Sequence, residues 1–237
     1  MLNVVTALKT EAEPIIKYFK LKCKDNIWQN DKINLIITGS GKIKSAVNTT
    51  LLLNKFPYKT INFGIAGSYT YEISQGFFIH KITDTDTGFE YYPDFFKENS
   101  SELFCISKPE KYYTLVDMES SGFFEAAYKF LSVEKIILYK IVSDTPKEKI
   151  NQKTIPSLIE KHISVIEELI ENENEKNFED IENYINEAKI KMHLTQTQLN
   201  ELKNRLMYLK IKNSNFPKIP KLKTKKEVNE FIKSLTS

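Results

Sequence analysis

A chain of 237 residues can bury the core of one full domain and still carry an appendage. Its 34 basic and 31 acidic side chains leave a net charge of +3, which selects neither an acidic nor a basic partner. No apolar run nears the roughly 20 residues that span a bilayer, and Cys23 and Cys105 make neither a disulfide framework nor a metal site. With no signal-peptide pattern at the N-terminus, the expectation is a cytoplasmic protein with free thiols.

In chain order, residues 2–8 read as a buried strand with Glu11 at its C-terminal end. Residues 33–38 form a second, running into Gly39-Ser40-Gly41-Lys42 and a helical pattern over 45–54. Residues 60–63 form a third, running into Gly64-Ile65-Ala66-Gly67-Ser68, where glycine lets backbone approach a ligand closely. Val116-Asp117-Met118-Glu119-Ser120-Ser121 leads into a helical pattern from Gly122. Residues 136–142, rich in β-branched and aromatic side chains, predict a further buried strand ending in Ser143-Asp144. A carboxylate at such a strand end lies where open α/β sheets place their ligands. Taken singly, Glu119 also suits a helix N-terminus and Asp144 a turn before Pro146; the residues alone leave both readings open.

The ordered set Ala7…Glu11, Thr38-Gly39-Ser40-Gly41-Lys42, Asn62-x-Gly64-x-Ala66-Gly67, Val116-Asp117-Met118-Glu119 and Ser143-Asp144 resembles the purine nucleoside phosphorylase/nucleosidase superfamily. It is most similar to the methylthioadenosine/S-adenosylhomocysteine nucleosidases, over roughly residues 1–170. The resemblance implies a three-layer α/β/α fold with a central mixed sheet, and a helical C-terminal extension beyond it. The expected division is a nucleosidase-like domain over 1–172 and an extension over 176–237.

It also implies roles. Asp144 would protonate or hydrogen-bond purine N7, Glu119 would bind the ribose hydroxyls, and Glu11 would orient or deprotonate the attacking water. Met118 would pack against the sugar, Ala66 and Gly67 would line the cleft, and Ser143 would hold Asp144. No metal or organic cofactor is implied, and the partners would be a small nucleoside substrate and a second copy of the chain. General acid catalysis at the departing base is typically worth about 10²–10⁴-fold.

Composition bears on water against phosphate as nucleophile. The only arginine is Arg205, in the extension, and guanidinium is the group that grips phosphate bidentately. Lys42 is the best-placed lysine to substitute. Hydrolysis is therefore expected, with phosphorolysis the alternative and a non-catalytic nucleoside-binding protein acting through its extension the second. The chain departs from the family in carrying Ile65 where serine is common, and in a compact segment before Leu115, where either Tyr112 or Tyr113 would replace the stacking aromatics or that side of the pocket would be open.

Residues 83–94 alternate Asp and Thr but lack the remaining ligands of a calcium loop; the resemblance implies a subunit interface here that Phe89, Tyr91 and Tyr92 would serve, with simple packing of these rings the other reading. His80, His162 and His193 are scattered and predict structural or surface roles. Residues 157–170 have helical spacing, then a polar acidic stretch intervenes. Ile181, Ile185, Ala188 and Met192 form a stripe; Thr195 predicts an N-cap for a helix with Leu199, Leu202, Leu206 and Leu209 inside. A basic stretch and a short helix, 228–235, follow. Nucleic-acid binding through this extension is a minor alternative to packing.

Overall fold

A computed structural model describes every residue except 96, 98, 109–112, 150, 176–178, 196–197, 200, 203–204, 207–208, 210–214, 223 and 236–237; of 172–175, 179–180 and 182 the backbone alone is described. The described residues form two compact units, Met1–Asn172 and Glu173–Ser237.

The first unit is built on one mixed sheet of ten strands. Its centre is parallel: β1 (Leu2–Thr6) lies between β4 (Ile33–Ile37) and β5 (Thr60–Ser68), and β5 pairs in turn with β10 (Ile136–Asp144). Parallel strands covered on both faces read as continuous apolar runs, and all five residues of β1 are buried. Side chains alternate across the sheet. Val4, Phe63, Ile137 and Tyr139 enter one core with the helices α1 (Lys9–Phe19), α4 (Ile155–Glu160) and α5 (Ile163–Glu175). Val5, Ala66, Leu138 and Val142 enter the other with α2 (Lys42–Lys55) and α3 (Ser120–Tyr128).

Beyond β5 and β10 the sheet closes on itself. β6 (Gly76–Asp84) pairs with β10, β8 (Ser100–Cys105) with β6, β9 (Leu115–Asp117) with β8, and β9 returns to β5. The short strands β2 (Lys22–Lys24) and β3 (Ile27–Gln29) extend the open edge past β4, and β7 (Glu90–Tyr91) flanks β6.

Three elements differ from the sequence reading. The third strand does not stop at Phe63 but runs through Gly64 and Gly67 to Ser68. These glycines mark close approaches within the strand, not a turn. The strand over 136–142 likewise extends to Asp144, with a bulge: Val142 faces Ala66 and Asp144 faces Gly67, so Ser143 is the extra residue. A bulge re-aims the side chains that follow it. The single helix expected over 157–170 is two, α4 and α5. His162, between them, is pinned: its Nε2 lies 3.0 Å from the Ser74 carbonyl and its Nδ1 2.8 Å from Tyr139 Oη. A carbonyl only accepts, so Nε2 carries the proton and the tyrosine donates to Nδ1. The role of His162 is structural.

The second unit has its own core. Ile181, Ile185 and Ala188 of α6 (Glu179–Lys191), with Met192 just past its end, pack with Leu202, Leu206, Ile219 and the buried face of α7 (Lys225–Ser234). The described residues of 198–209 are helical. Thr195 caps them reciprocally: its Oγ1 accepts from Gln198 N at 3.3 Å, and Gln198 Oε1 accepts from Thr195 N at 3.0 Å.

Candidate active site at the strand ends

Glu11 enters the site as the third residue of α1. Its Oε2 accepts the backbone N–H groups of Ala7 and Leu8 at 2.8 and 2.7 Å, and its Oε1 that of Ile65 at 2.9 Å. The carboxylate thereby bridges the end of β1 and the middle of β5. Gly64 makes this possible, since a Cβ there would stand 2.6 Å from Glu11 Oε1. Burial pushes the Glu11 carboxyl above its ordinary range, against the pull of the three N–H groups and Lys140.

Glu119 is the N-cap residue of α3, and its Oε1 accepts the Gly41 N–H at 2.8 Å, at the start of α2. The carboxylate thus meets the positive ends of two helices. Close packing brings them together: a Cβ on Gly122 would stand 2.1 Å from the Lys42 carbonyl oxygen. Burial, then the neighbouring Asp117, push the Glu119 carboxyl up to about 7; Lys140 and the Gly41 N–H oppose the rise.

Lys140 joins these acids. It lies in mid-β10 on the same side as Leu138 and Val142, facing α3, and its side chain is 3% exposed. Its Nζ is 2.9 Å from Asp117 Oδ2. Burial works to lower its pKa, but Asp117, Glu119 and Glu11 outweigh it and hold the ammonium charged. One buried cation therefore balances part of the charge of three buried carboxyl groups. The sequence reading gave Lys140 no role. The signal was present: a lysine within the run Ile136–Val142 must have a charged partner if the strand is buried.

Asp144 stands in a separate group. The Ser143 hydroxyl donates to Asp144 Oδ1 at 2.6 Å and lies 3.3 Å from the Ala66 carbonyl oxygen. A Cβ on Gly67 would meet Asp144 Oδ2 at 3.2 Å and Val116 Cγ2 at 3.1 Å. Glycine here leaves the space over β5 open beside the carboxylate. Asp144 and Met118 are half-buried, whereas Ala66, Ser143, Glu11 and Glu119 are buried. The structure therefore gathers Glu11 and Glu119 around Lys140, and sets Asp144, Ser143, Ala66 and Gly67 together at the ends of β5 and β10.

Lys42 is not available to an anion as the sequence reading allowed. Its Nζ lies 2.8 Å from both oxygens of Asp84 and 2.6 Å from Asp86 Oδ2. Asp84 also accepts from Ser121 Oγ at 2.6 Å and from the backbone of Asp86 and Thr87. Burial alone would raise the Asp84 carboxyl, but Lys42 and these donors hold it down at about 2. The Asp/Thr stretch thus binds an ammonium group, and no cluster of metal-ligating side chains occurs among the described residues. Tyr113 stacks on Phe104 at 4.4 Å, while Tyr112 lies outside the described residues. Tyr91 donates to Glu125 at 2.6 Å, and Phe89 and Tyr92 are exposed.

This arrangement is that of a nucleoside phosphorylase-like α/β fold, with its polar groups at the carboxyl ends of parallel strands. Among solved structures, the chain is similar to Arabidopsis thaliana 5′-methylthioadenosine nucleosidase, with a TM-score of 0.62 and 15% identity over 71% of this chain and 95% of that one. It is also similar to the 5′-methylthioadenosine/S-adenosylhomocysteine nucleosidases of Campylobacter jejuni (TM-score 0.60, 13% identity, 70% and 96% covered) and Helicobacter pylori (0.59, 14%, 72% and 97%). At such identities the likeness establishes the fold. No protein-family model matches the sequence, and no curated protein matches it.

Proposed function

We propose that the chain hydrolyses the N-glycosidic bond of a purine nucleoside or a 5′-thioadenosine derivative. The observation that carries this reading is the pair of acidic groups at the sheet, Glu11 and Glu119 around Lys140 and Asp144 over Gly67, with Lys140 and Lys42 already held by carboxylates. Cleavage leaves an electron-rich base and a cationic sugar. Asp144, with Oδ1 held by Ser143, presents Oδ2 over Gly67 to purine N7, where its proton or hydrogen bond makes the base a better leaving group.

Glu119, aligned by the Gly41 N–H, accepts from the ribose hydroxyls, and Met118 packs on the sugar. Glu11 has about four acceptor positions, and three are filled by backbone N–H groups. The remaining one suits a water molecule, whose proton the carboxylate takes as the oxocarbenium ion forms. Ala66 and Gly67 line the cleft. The scheme draws on side chains and water alone. Phosphate as nucleophile would need a free cation, and Lys42 and Lys140 are both paired. The nucleosidase activity named for the similar structures supports a 5′-thioadenosine substrate.

The Asp144→Asn variant tests this assignment. It should lower turnover by about 10²–10⁴-fold while leaving nucleoside affinity within a few-fold of wild type. Near-normal turnover would remove Asp144 from the chemistry.

The same reading includes a homodimer in the cytoplasm. Ile43, Val47 and Leu51 recur every fourth residue on α2 and are 81%, 53% and 59% exposed, an apolar stripe that a second copy would cover. Cys23 and Cys105 as free thiols suit a reducing compartment. Light scattering should give twice the chain mass; a monomer would contradict the dimer.

A further inference from the structure

The net charge of +3 conceals a separation. The unit Glu173–Ser237 holds thirteen Lys and Arg against nine Asp and Glu, a net charge of +4, against −1 for Met1–Asn172, and its basic side chains gather in residues 189–237, twelve against three. Asymmetry of this kind marks a polyanion partner.

Residues 218–226, leading into α7, concentrate that charge in the sequence. Lys218, Lys221, Lys225 and Lys226 are exposed and form no ion pair among the described residues. Lys225 and Lys226 occupy the first two positions of α7. A helix N-terminus is already positive, so cations there are misplaced for stability. Locally unfavourable choices of this kind concentrate where a partner compensates them.

The chemistry of the partner follows from what else the unit exposes. An interfacial membrane helix needs a free apolar face, but Val228 and Ile232 of α7 are buried in the unit's own core. Ile190 is the one large apolar side chain exposed among the described residues of 189–237, and no aromatic ring there is exposed for bases to stack on. Arg205, the group best suited to reading base edges, is engaged with Glu201 at 3.1 Å and the Lys233 carbonyl at 3.1 Å. Lysines alone, as point charges, contact phosphates without reading sequence.

We propose that the C-terminal unit binds the phosphate backbone of double-stranded nucleic acid, without sequence specificity, through Lys218, Lys221, Lys225 and Lys226. This site is independent of the nucleosidase reading and is tested without reference to it.

The test is fluorescence anisotropy of a labelled random-sequence duplex titrated with the full chain over a series of salt concentrations. A single strand of equal length and anionic phospholipid vesicles serve as competitors. Four neutralised phosphates give a slope of log K against log salt of about −3 to −4. Replacing the four lysines by glutamine should weaken low-salt binding by about tenfold or more and remove most of that slope. Replacing four exposed lysines of the first unit, Lys17, Lys20, Lys22 and Lys24, should change neither. Circular dichroism monitors folding. If the fourfold variant does not fold, Lys218→Gln with Lys221→Gln, outside α7, should still flatten the slope by about 2. Absent duplex binding at low salt, equal losses in both sets of variants, or preference for single strand or vesicles would overturn the proposal.

Discussion

Lys140 and Lys42 are both ammonium groups held by carboxylates, and their surroundings give them different work. Lys140 is 3% exposed against an Asp117 side chain that is 1% exposed; Lys42 is 18% exposed and shared between a buried Asp84 and a half-exposed Asp86. Around Lys140, desolvation dominates and pushes Glu11 and Glu119 upward despite the nearby positive charge. Around Lys42, hydrogen bonds dominate and hold Asp84 down at about 2. Burial therefore separates a cluster whose protons can move near neutral pH from one whose charges are fixed. The first lies beside the proposed chemistry, and the second locks a loop.

Removing Lys140 is the most severe way to break this contrast. Lys140→Met leaves Asp117 buried without its counter-charge, a loss expected at about 3–5 kcal/mol and measurable by urea unfolding. A loss below about 1 kcal/mol would mean that the pair is not desolvated. The same variant sharpens the pH dependence. Glu119 titrates at about 7, above its unfolded range. Its raised folded pKa means that the contribution of Glu119 to stability is full below the unfolded carboxylate range and is lost as pH rises through about 7. Nucleoside affinity should run the other way, falling below about pH 7 as Glu119 takes up a proton and loses an acceptor. Without the ammonium, which favours the ionised form, that limb should move to higher pH. An unmoved limb would show that Glu119 does not control it.

Gly64→Ala should cost about 1–3 kcal/mol, the usual range for overpacking. The Glu11 carboxylate, 2.6 Å from the added Cβ, must leave the N–H groups of Ala7, Leu8 and Ile65. A crystal structure of the variant with Glu11 unmoved would contradict this.

The smallest effect is expected for Lys42→Met, about 1 kcal/mol, because Asp84 keeps Ser121 and two backbone donors. Base release by this variant should remain independent of phosphate. If it instead became unstable by several kcal/mol, the distinction between the two lysines would fail.

Much of this was legible in the sequence where the signal is local. The apolar runs placed β1, β4 and β10 and put Ser143-Asp144 at a strand end. The reciprocal cap at Thr195 follows from a threonine three residues before Gln198. What escaped depends on distant residues. Gly64 and Gly67 ended the third strand at Phe63 in the sequence reading because glycine weakens strand patterns; within the strand they make room for Glu11 and Asp144. His162, at the break between α4 and α5, is held by Tyr139 and Ser74, 23 and 88 residues away. Gly122 looked like an ordinary helix start, yet it sets how closely α2 meets α3.

The most direct test is base release, followed by chromatography, from methylthioadenosine, S-adenosylhomocysteine, adenosine and inosine, each with and without inorganic phosphate. Paired cations and a carboxylate-held water predict free base without phosphate, at a rate that phosphate does not raise. Release only in the presence of phosphate, or no release from any of these nucleosides, would contradict the account.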